Sequence, residues 1–425
     1  MEEQNLIPHL FRTEYRKIVS VLCRHFGFGQ METAEDIASD TFLVAAQTWA
    51  IEGPPQNPTA WLYHVARNKA KTMLKRDQVF RDKVAPAVKA TASGNSNGAP
   101  EATPPEIDID LSPAAIEDSQ LQMMFAICSP LISIEAQIGL SLRILCGFGI
   151  GEIADAFLTG KETINKRLFR AREKLREANI RIEMPTPDQL DQRLPAVLTT
   201  IYLLFNEGYY SESSDNILRK DLCLEAIRLC HMLADNTFTN QPAVEALLAL
   251  MCFHASRFDA RIDQHGGIVL YADQDTSRWN EDLIAKGIDY LHRAARGNTL
   301  TKYHLEASIA WWSTQKEDSR DKWEQILQLY NLLLQLEYSP IAALNRTFAL
   351  AKANGKPEAI VQAEKLRLTD NPFYFALLGE LYTDVDNTIA LGHLRQAMTL
   401  ARTAADKKLM QNKITRLCQA LEAPR

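Results

Sequence analysis

The sequence predicts an all-α protein built from several helical modules. Two observations predict it. Apolar residues recur at helical spacing along most of the chain, and the interruptions are short clusters of Gly, Pro, Asn and Ser of the kind that separate helices. A third observation predicts the modularity: residues 85–118 lose the apolar period and carry five prolines with only one basic residue, Lys89. A length of 425 residues is in keeping with about two to four domains.

Residues 5–83 are helical in pattern. Leu6, Leu10, Phe11, Tyr15, Ile18, Val19 and Leu22 form the first stripe, and Ile37, Phe42, Leu43, Val44 and Trp49 the second. Gly53-Pro54-Pro55-Gln56-Asn57-Pro58 ends that run, and a third helix is expected from about Thr59 to Arg81. Residues 85–118 read as a flexible tether. Helical periodicity returns over 119–181, and Met184-Pro185-Thr186-Pro187 marks another boundary. From 188 to 425 helix follows helix, with loops expected near Ser211–Asn216, Asn236–Pro242, Gly266–Arg278, Thr314–Arg320, Lys352–Pro357 and Thr369–Pro372. The expected division is 5–84, 85–118, 119–181, 188–290 and 291–425. In the last part, Pro340–Ala351 and Tyr374–Tyr382 lie about 34 residues apart and resemble tetratricopeptide-type helix pairs. A plain helical bundle is the alternative.

Composition narrows the function classes. The net charge is −6, so any nucleic-acid surface must be local. Seven scattered cysteines with no C-x-x-C pair argue for reduced thiols and a cytoplasmic protein. The acidic amino terminus has no apolar signal region, and no stretch is long and apolar enough for a membrane span. No H-E-x-x-H or Cys/His set at zinc spacing appears, so no metal is expected. No phosphate loop or Ser-centred elbow appears either, so neither a cofactor nor an enzymatic activity is expected.

The strongest local signal runs from Gly149 to Arg172. A short helix near Gly151–Phe157 is followed by a turn ending in Gly160 and then a longer helix, and Ile153, Ala154, Phe157, Ile164 and Leu168 can share one small core. That is the pattern of a helix-turn-helix. The second helix is basic. Lys161, Glu162, Thr163, Asn165 and Lys166 lie where base edges are read in a major groove, and Arg167, Arg170 and Arg172 where phosphates lie. A solvated basic helix is the bland alternative.

A second signal combines the acidic rim Glu35, Asp36 and Asp40 with a later helix in which Trp61 and Tyr63 stand beside Arg67, Lys69, Lys71, Lys75 and Arg76. Rings beside cations suit single-stranded DNA, where bases stack and the backbone is tracked by charge. The alternative makes Trp61 and Leu62 core and the cations a solvated face.

At these segments the sequence resembles the sigma-70 family of transcription initiation factors, in particular its extracytoplasmic-function group. Ala34–Phe42 is similar to the polymerase-binding helix of region 2, Asn57–Asn68 to the promoter-melting helix, and Gly151–Arg176 to region 4. The resemblance covers about residues 5–83 and 119–178. It departs at Ser39, where glutamine is frequent, and near Thr72, where an acidic residue often sits. It implies that Glu35, Asp36, Asp40 and Phe42 bind core RNA polymerase and that Trp61, Arg67 and Lys71 act on the −10 element. The helix Lys161–Arg172 would read the −35 element. Tyr202–Tyr209, Asp273–Trp279 and Ser339–Arg346 resemble the extension of one subgroup with a fused tetratricopeptide-like domain, which implies a regulatory protein partner. Asn206–Tyr210 and Asp273–Trp279 read either as an interface or small-ligand site, or as a helix cap and a salt-bridged loop. A conventional helix-turn-helix regulator is the competing function.

Overall fold

A computed structural model describes residues 6–79, 109–157, 159–209, 219–263, 269–401 and 403–422. Eighteen α-helices and no strand element occur among the described residues, so the fold is all-α as expected. By contact the chain falls into two compact units, residues 1–154 with 159–200, and residues 155–158 with 201–425.

The first unit begins with α1 (Leu6–Phe26), a 3-10 turn (Phe28–Gln30), α2 (Met31–Glu52) and α3 (Pro58–Val79). Gly27 and Gly53 end their helices at φ 76° and 78°, a left-handed backbone that other residues adopt at a cost. Asn57 starts α3 by accepting the Ala60 N–H at 3.0 Å. There follow α4 (Pro113–Ile127), α5 (Ile134–Leu140), a π turn (Ser141–Leu145), α6 (Ile150–Ala156), α7 (Lys161–Glu177) and the first part of α8 (Pro187–Tyr209).

The start of α4 corrects the expected tether of residues 85–118. Ser112 caps the helix, Pro113 fills its first position, and Ile109 and Leu111 are already buried. The proline that read as linker composition is a helix start. Residues 85–108 of the expected tether lie outside the described residues. Both sides of the expected tether pack in one unit: α1 touches α2, α3, α4 and the π turn.

The second unit holds the rest of α8 with α9 (Lys220–Asp235), α10 (Pro242–Ala255), α11 (Glu281–Ala294), α12 (Lys302–Ser313) and α13 (Arg320–Leu336). It continues through α14 (Pro340–Asn354), α15 (Lys356–Leu366), α16 (Pro372–Tyr382), α17 (Asn387–Leu400) and α18 (Ala404–Glu422). Helix α10 is covered by α9, α11 and α12, and every residue from Val244 to Phe253 is buried. Further on, Trp323, Ile326, Leu344, Leu350, Tyr374 and Leu378 share one core. Ser339-Pro340 and Asn371-Pro372 start α14 and α16 in the same way, a side-chain cap followed by proline. Trp323 is buried, while Trp311 and Trp312 are half-buried against each other.

Two motifs resolve toward local structure. Asp275 accepts the Ser277 N–H and hydroxyl in the 3-10 turn Thr276–Arg278, and Trp279 is buried near Tyr271. Tyr209 is buried, stacked on Phe205 with the Arg261 guanidinium 4.2 Å above its ring. Tyr210 and the expected loop at Ser211–Asn216 lie outside the described residues. No helix among the described residues is long and apolar enough to cross a membrane.

Two measurements test this packing. A Cβ on Gly379 would sit 2.7 Å from Leu394 Cγ and Cδ2, so α16 and α17 meet where only hydrogen fits. Gly379→Ala should cost about 1–3 kcal/mol of stability in denaturant titration. On α12, Glu306 accepts the Tyr202 hydroxyl at 3.2 Å, and burial pushes its carboxyl up from 4.5 to about 7. A raised carboxyl favours folding below its unfolded value and loses that contribution as pH rises to about 7. Glu306→Gln should therefore flatten the pH dependence between about 4.5 and 7. At pH 8 it should add on the order of 1–3 kcal/mol.

Candidate nucleic-acid interface

Helices α6 and α7 follow one another across the short turn that ends in Gly160. The Gly149 N–H donates to Glu152 Oε2 at 2.7 Å at the start of α6, and Gly160 stands at the cap position of α7. Ile153, Ala154, Ile164, Leu168, Ala171 and Leu175 are buried, and Phe157 is half-buried. A Cβ on Gly139 of α5 would lie 2.9 Å from Leu168 Cδ2, so α5 and α7 cross closely there.

The side of α7 away from this core is polar and cationic. Lys161, Glu162, Thr163, Asn165, Lys166 and Arg170 are all exposed, with Lys166 and Glu162 paired at 2.7 Å across one turn. Such exposed pairs are weak and rearrange readily. Arg167 is half-buried, and its charge adds to hydrogen bonds from Ser133 and the backbone in holding the Glu135 carboxyl below its usual range. Phe169, which the sequence reading passed over, is 58% exposed on this cationic side. Its signal was a large ring one position past Leu168, off the buried stripe.

Arg172 is placed otherwise than expected. It turns inward, with Nη1 3.8 Å from Glu35 Oε2 on α2, while Arg143 of the π turn lies 3.3 Å from the other Glu35 oxygen. Glu35 is 15% exposed and Arg172 18%. Arg176 of the same helix lies against Gly29 in the 3-10 turn. Glu35 was expected to face polymerase and Arg172 to face phosphate; instead they hold each other. Sequence spacing gave no hint, because the partners are far apart in the chain.

Helix α2 also divides the expected polymerase contacts. Phe42 is not a surface residue: it is 4% exposed, with its ring 5.1 Å from Phe11 and 6.4 Å from Tyr15. Asp36 and Asp40 are exposed, and Asp40 pairs with Lys69 at 3.4 Å. They begin a stripe that continues through Leu43, Gln47 and Ile51, and the two apolar members are 56% and 87% exposed. The signal for Leu43 and Ile51 was their place in the helical register, offset from buried Ala38, Thr41, Ala45 and Trp49.

Helix α3 is less open than its composition implies. Trp61 is half-buried, 5.3 Å edge-on from Trp49. Arg67 is half-buried with an Nε that lacks a hydrogen-bond partner, and its charge reaches Asp110, whose carboxyl is lowered chiefly by Ser112. Lys71 is half-buried and Lys75 and Arg76 are exposed. Tyr63 anchors α3 to α1 by donating its hydroxyl to the buried Glu14, whose other contact is Lys17 at 2.9 Å. Among the described residues no group of three or more His, Cys, Asp and Glu could hold a metal ion. All seven cysteines are free.

Comparison with known protein families bears on two stretches of the chain. Residues 10–79 match Sigma-70 region 2, and residues 193–295 match a family of unknown function, DUF6596. An uncharacterized protein of Rhizobium meliloti (strain 1021) is 31% identical over 396 residues, 92% of this chain and 91% of that protein. No solved structure matches. Helices α1 to α3 thus carry the Sigma-70 region 2 match. Region 2 of sigma-70 factors binds core RNA polymerase and the −10 element, and the match supports a sigma-factor-like role in transcription initiation.

The Tyr63–Glu14 contact is directly testable. Tyr63→Phe removes a donor from a buried carboxylate and should cost about 1–3 kcal/mol, measured by chemical denaturation.

Proposed function

We propose that the protein is a sigma factor of the extracytoplasmic-function group that recruits core RNA polymerase to promoters bearing −10 and −35 elements. The observation that carries this reading is the joint presence of a region 2 match and, in the same unit, a basic helix, α7, that exposes Lys161, Thr163, Asn165, Lys166 and Arg170. In this reading α7 enters the −35 major groove by its first turns. Asp36, Asp40, Leu43, Gln47 and Ile51 on α2 meet polymerase. The open cations of α3 follow the melted strand.

Residues 188–290 and 291–425 are the fused extension, the latter tetratricopeptide-like. The matching starts of α14 and α16, 32 residues apart from Pro340 to Pro372, support a repeat. Exposed Leu332, Leu336, Tyr338 and Ile341 support contact with a regulatory protein. The protein works in the cytoplasm and performs no catalysis of its own.

The exposed first turn of α7 also suits a conventional regulator that binds duplex DNA alone. Transcription in vitro with sigma-free core polymerase on promoter fragments separates the two. Discrete transcripts sharing two upstream elements are expected; tight duplex binding by the isolated protein, with no affinity for core, would replace this reading with the alternative. Within the sigma reading, Arg170→Ala should weaken promoter binding by holoenzyme several-fold and reduce the salt slope by about 1. Arg172→Ala should act first on stability, by about 1 kcal/mol or more, because it strips a partner from Glu35.

A further inference from the structure

The open side of α7 carries a carboxylate where a surface for DNA should favour cations. At about 100° per residue, Glu162 and Lys166 stand one above the other on adjacent turns. The buried residues Ile164, Leu168, Ala171 and Leu175 lie on the opposite side of the helix. The side chains of Glu162 and Lys166 are 82% and 63% exposed, and Lys166 Nζ lies 2.7 Å from Glu162 Oε1.

Phosphates repel a carboxylate brought to DNA, so Glu162 lowers the affinity of α7 for a duplex in general. It also discriminates between bases. Most polar positions in the major groove are acceptors: N7 and O6 of guanine, N7 of adenine and O4 of thymine. Only the amino groups of cytosine and adenine donate, and adenine places its N7 acceptor beside that amino group. A carboxylate therefore fits cytosine best and is repelled by guanine and thymine. Lys166 has the complementary preference, because an ammonium only donates and guanine offers O6 and N7 together. Four residues of helix advance about 6 Å, against about 3.4 Å per base pair. The two side chains thus reach base edges in one pair or at most about two pairs apart.

We propose that the Glu162–Lys166 pair is a specificity determinant, with Glu162 accepting from a cytosine N4 amino group and Lys166 donating to guanine O6 and N7. The ion pair is exposed, so it opens onto the bases at little cost. Glu162 acts chiefly by rejecting guanine and thymine, while the general affinity comes from exposed cations such as Arg170. This assignment rests on α7 entering a major groove, which the sigma reading and the conventional-regulator alternative share.

Selection from a randomised duplex library tests it, with the full chain used both alone and bound to sigma-free core polymerase. The proteins are wild type, Glu162→Ala, Glu162→Gln and Lys166→Ala. The wild-type element should contain a cytosine favoured about tenfold or more. Glu162→Ala should abolish that preference while holding or raising affinity for sites with other bases. Glu162→Gln should move it toward adenine, whose N6 and N7 suit an amide. Lys166→Ala should relax a guanine preference in the same pair or at most about two pairs away. A pair that only supports the helix would change the melting temperature and leave every base preference alone. The proposal is overturned if Glu162→Ala selects the wild-type element with unchanged preferences, or if it weakens all sites equally. Selection by the free chain but not by the polymerase complex would end the sigma reading, and the comparison of variants would still decide the proposal. No selection by either form would overturn both.

Discussion

The first unit depends on covering α1 from several directions. Its residues from Ile18 to Cys23 are buried one after another, so the helix has no solvent face along that stretch. A helix apolar all round must be enclosed. Helices α2 and α3 supply part of the cover, and α4 and the π turn supply the rest from beyond residue 108. Helix α4 is enclosed in turn over Ser119–Ile127, where Arg24 of α1 approaches Ser119 at 3.5 Å. The region 2 helices and the helix and turn that follow residue 108 therefore pack together. The buried Gln137 completes that unit, donating to the Ser129 and Ile132 carbonyls and accepting from Thr200.

The second unit follows the same rule with a different helix. Val244–Phe253 of α10 is the enclosed rod, and α9, α11 and α12 are its sheath. Glu245 belongs to that rod and pairs with Arg293 of α11 at 3.5 Å. Downstream the cores are built between neighbouring helices instead, with Ala390, Leu394 and Ala397 of α17 facing Met410, Ile414 and Leu417 of α18. Such nearest-neighbour packing makes stability a sum over adjacent pairs.

Much of this architecture could be read from local sequence because local chemistry decides it. Asn57, Ser319, Ser339 and Asn371 cap helices, and prolines follow three of them, so the starts of α3, α13, α14 and α16 were visible. The breaks at Asn236–Pro242 and Thr314–Arg320 fall where loops were expected. The start of α4 was hidden because its proline sits among other prolines, and composition cannot tell a helix start from a linker. At the candidate interface, the exposed cations of α7 were legible from charge and register. The inward turn of Arg172 and the burial of Phe42 were not, since each depends on a partner distant in sequence: Glu35 for the one, Phe11 and Tyr15 for the other.

The contact of Glu35 with Arg143 and Arg172 has a consequence in the dimension of DNA length. Elements centred 10 and 35 base pairs upstream of a start site lie roughly 85 Å apart along a straight duplex at about 3.4 Å per base pair. Arg172 is 3.8 Å from α2 at Glu35. On the proposed reading, with α7 on the distant element and α2–α3 on the near one, these surfaces part and the three charges are released together. What holds the compact unit shut would then become, on the promoter, one carboxylate and two guanidinium groups newly open to other partners. On that reading the distance between the two DNA elements is a ruler that this packing is too short to meet.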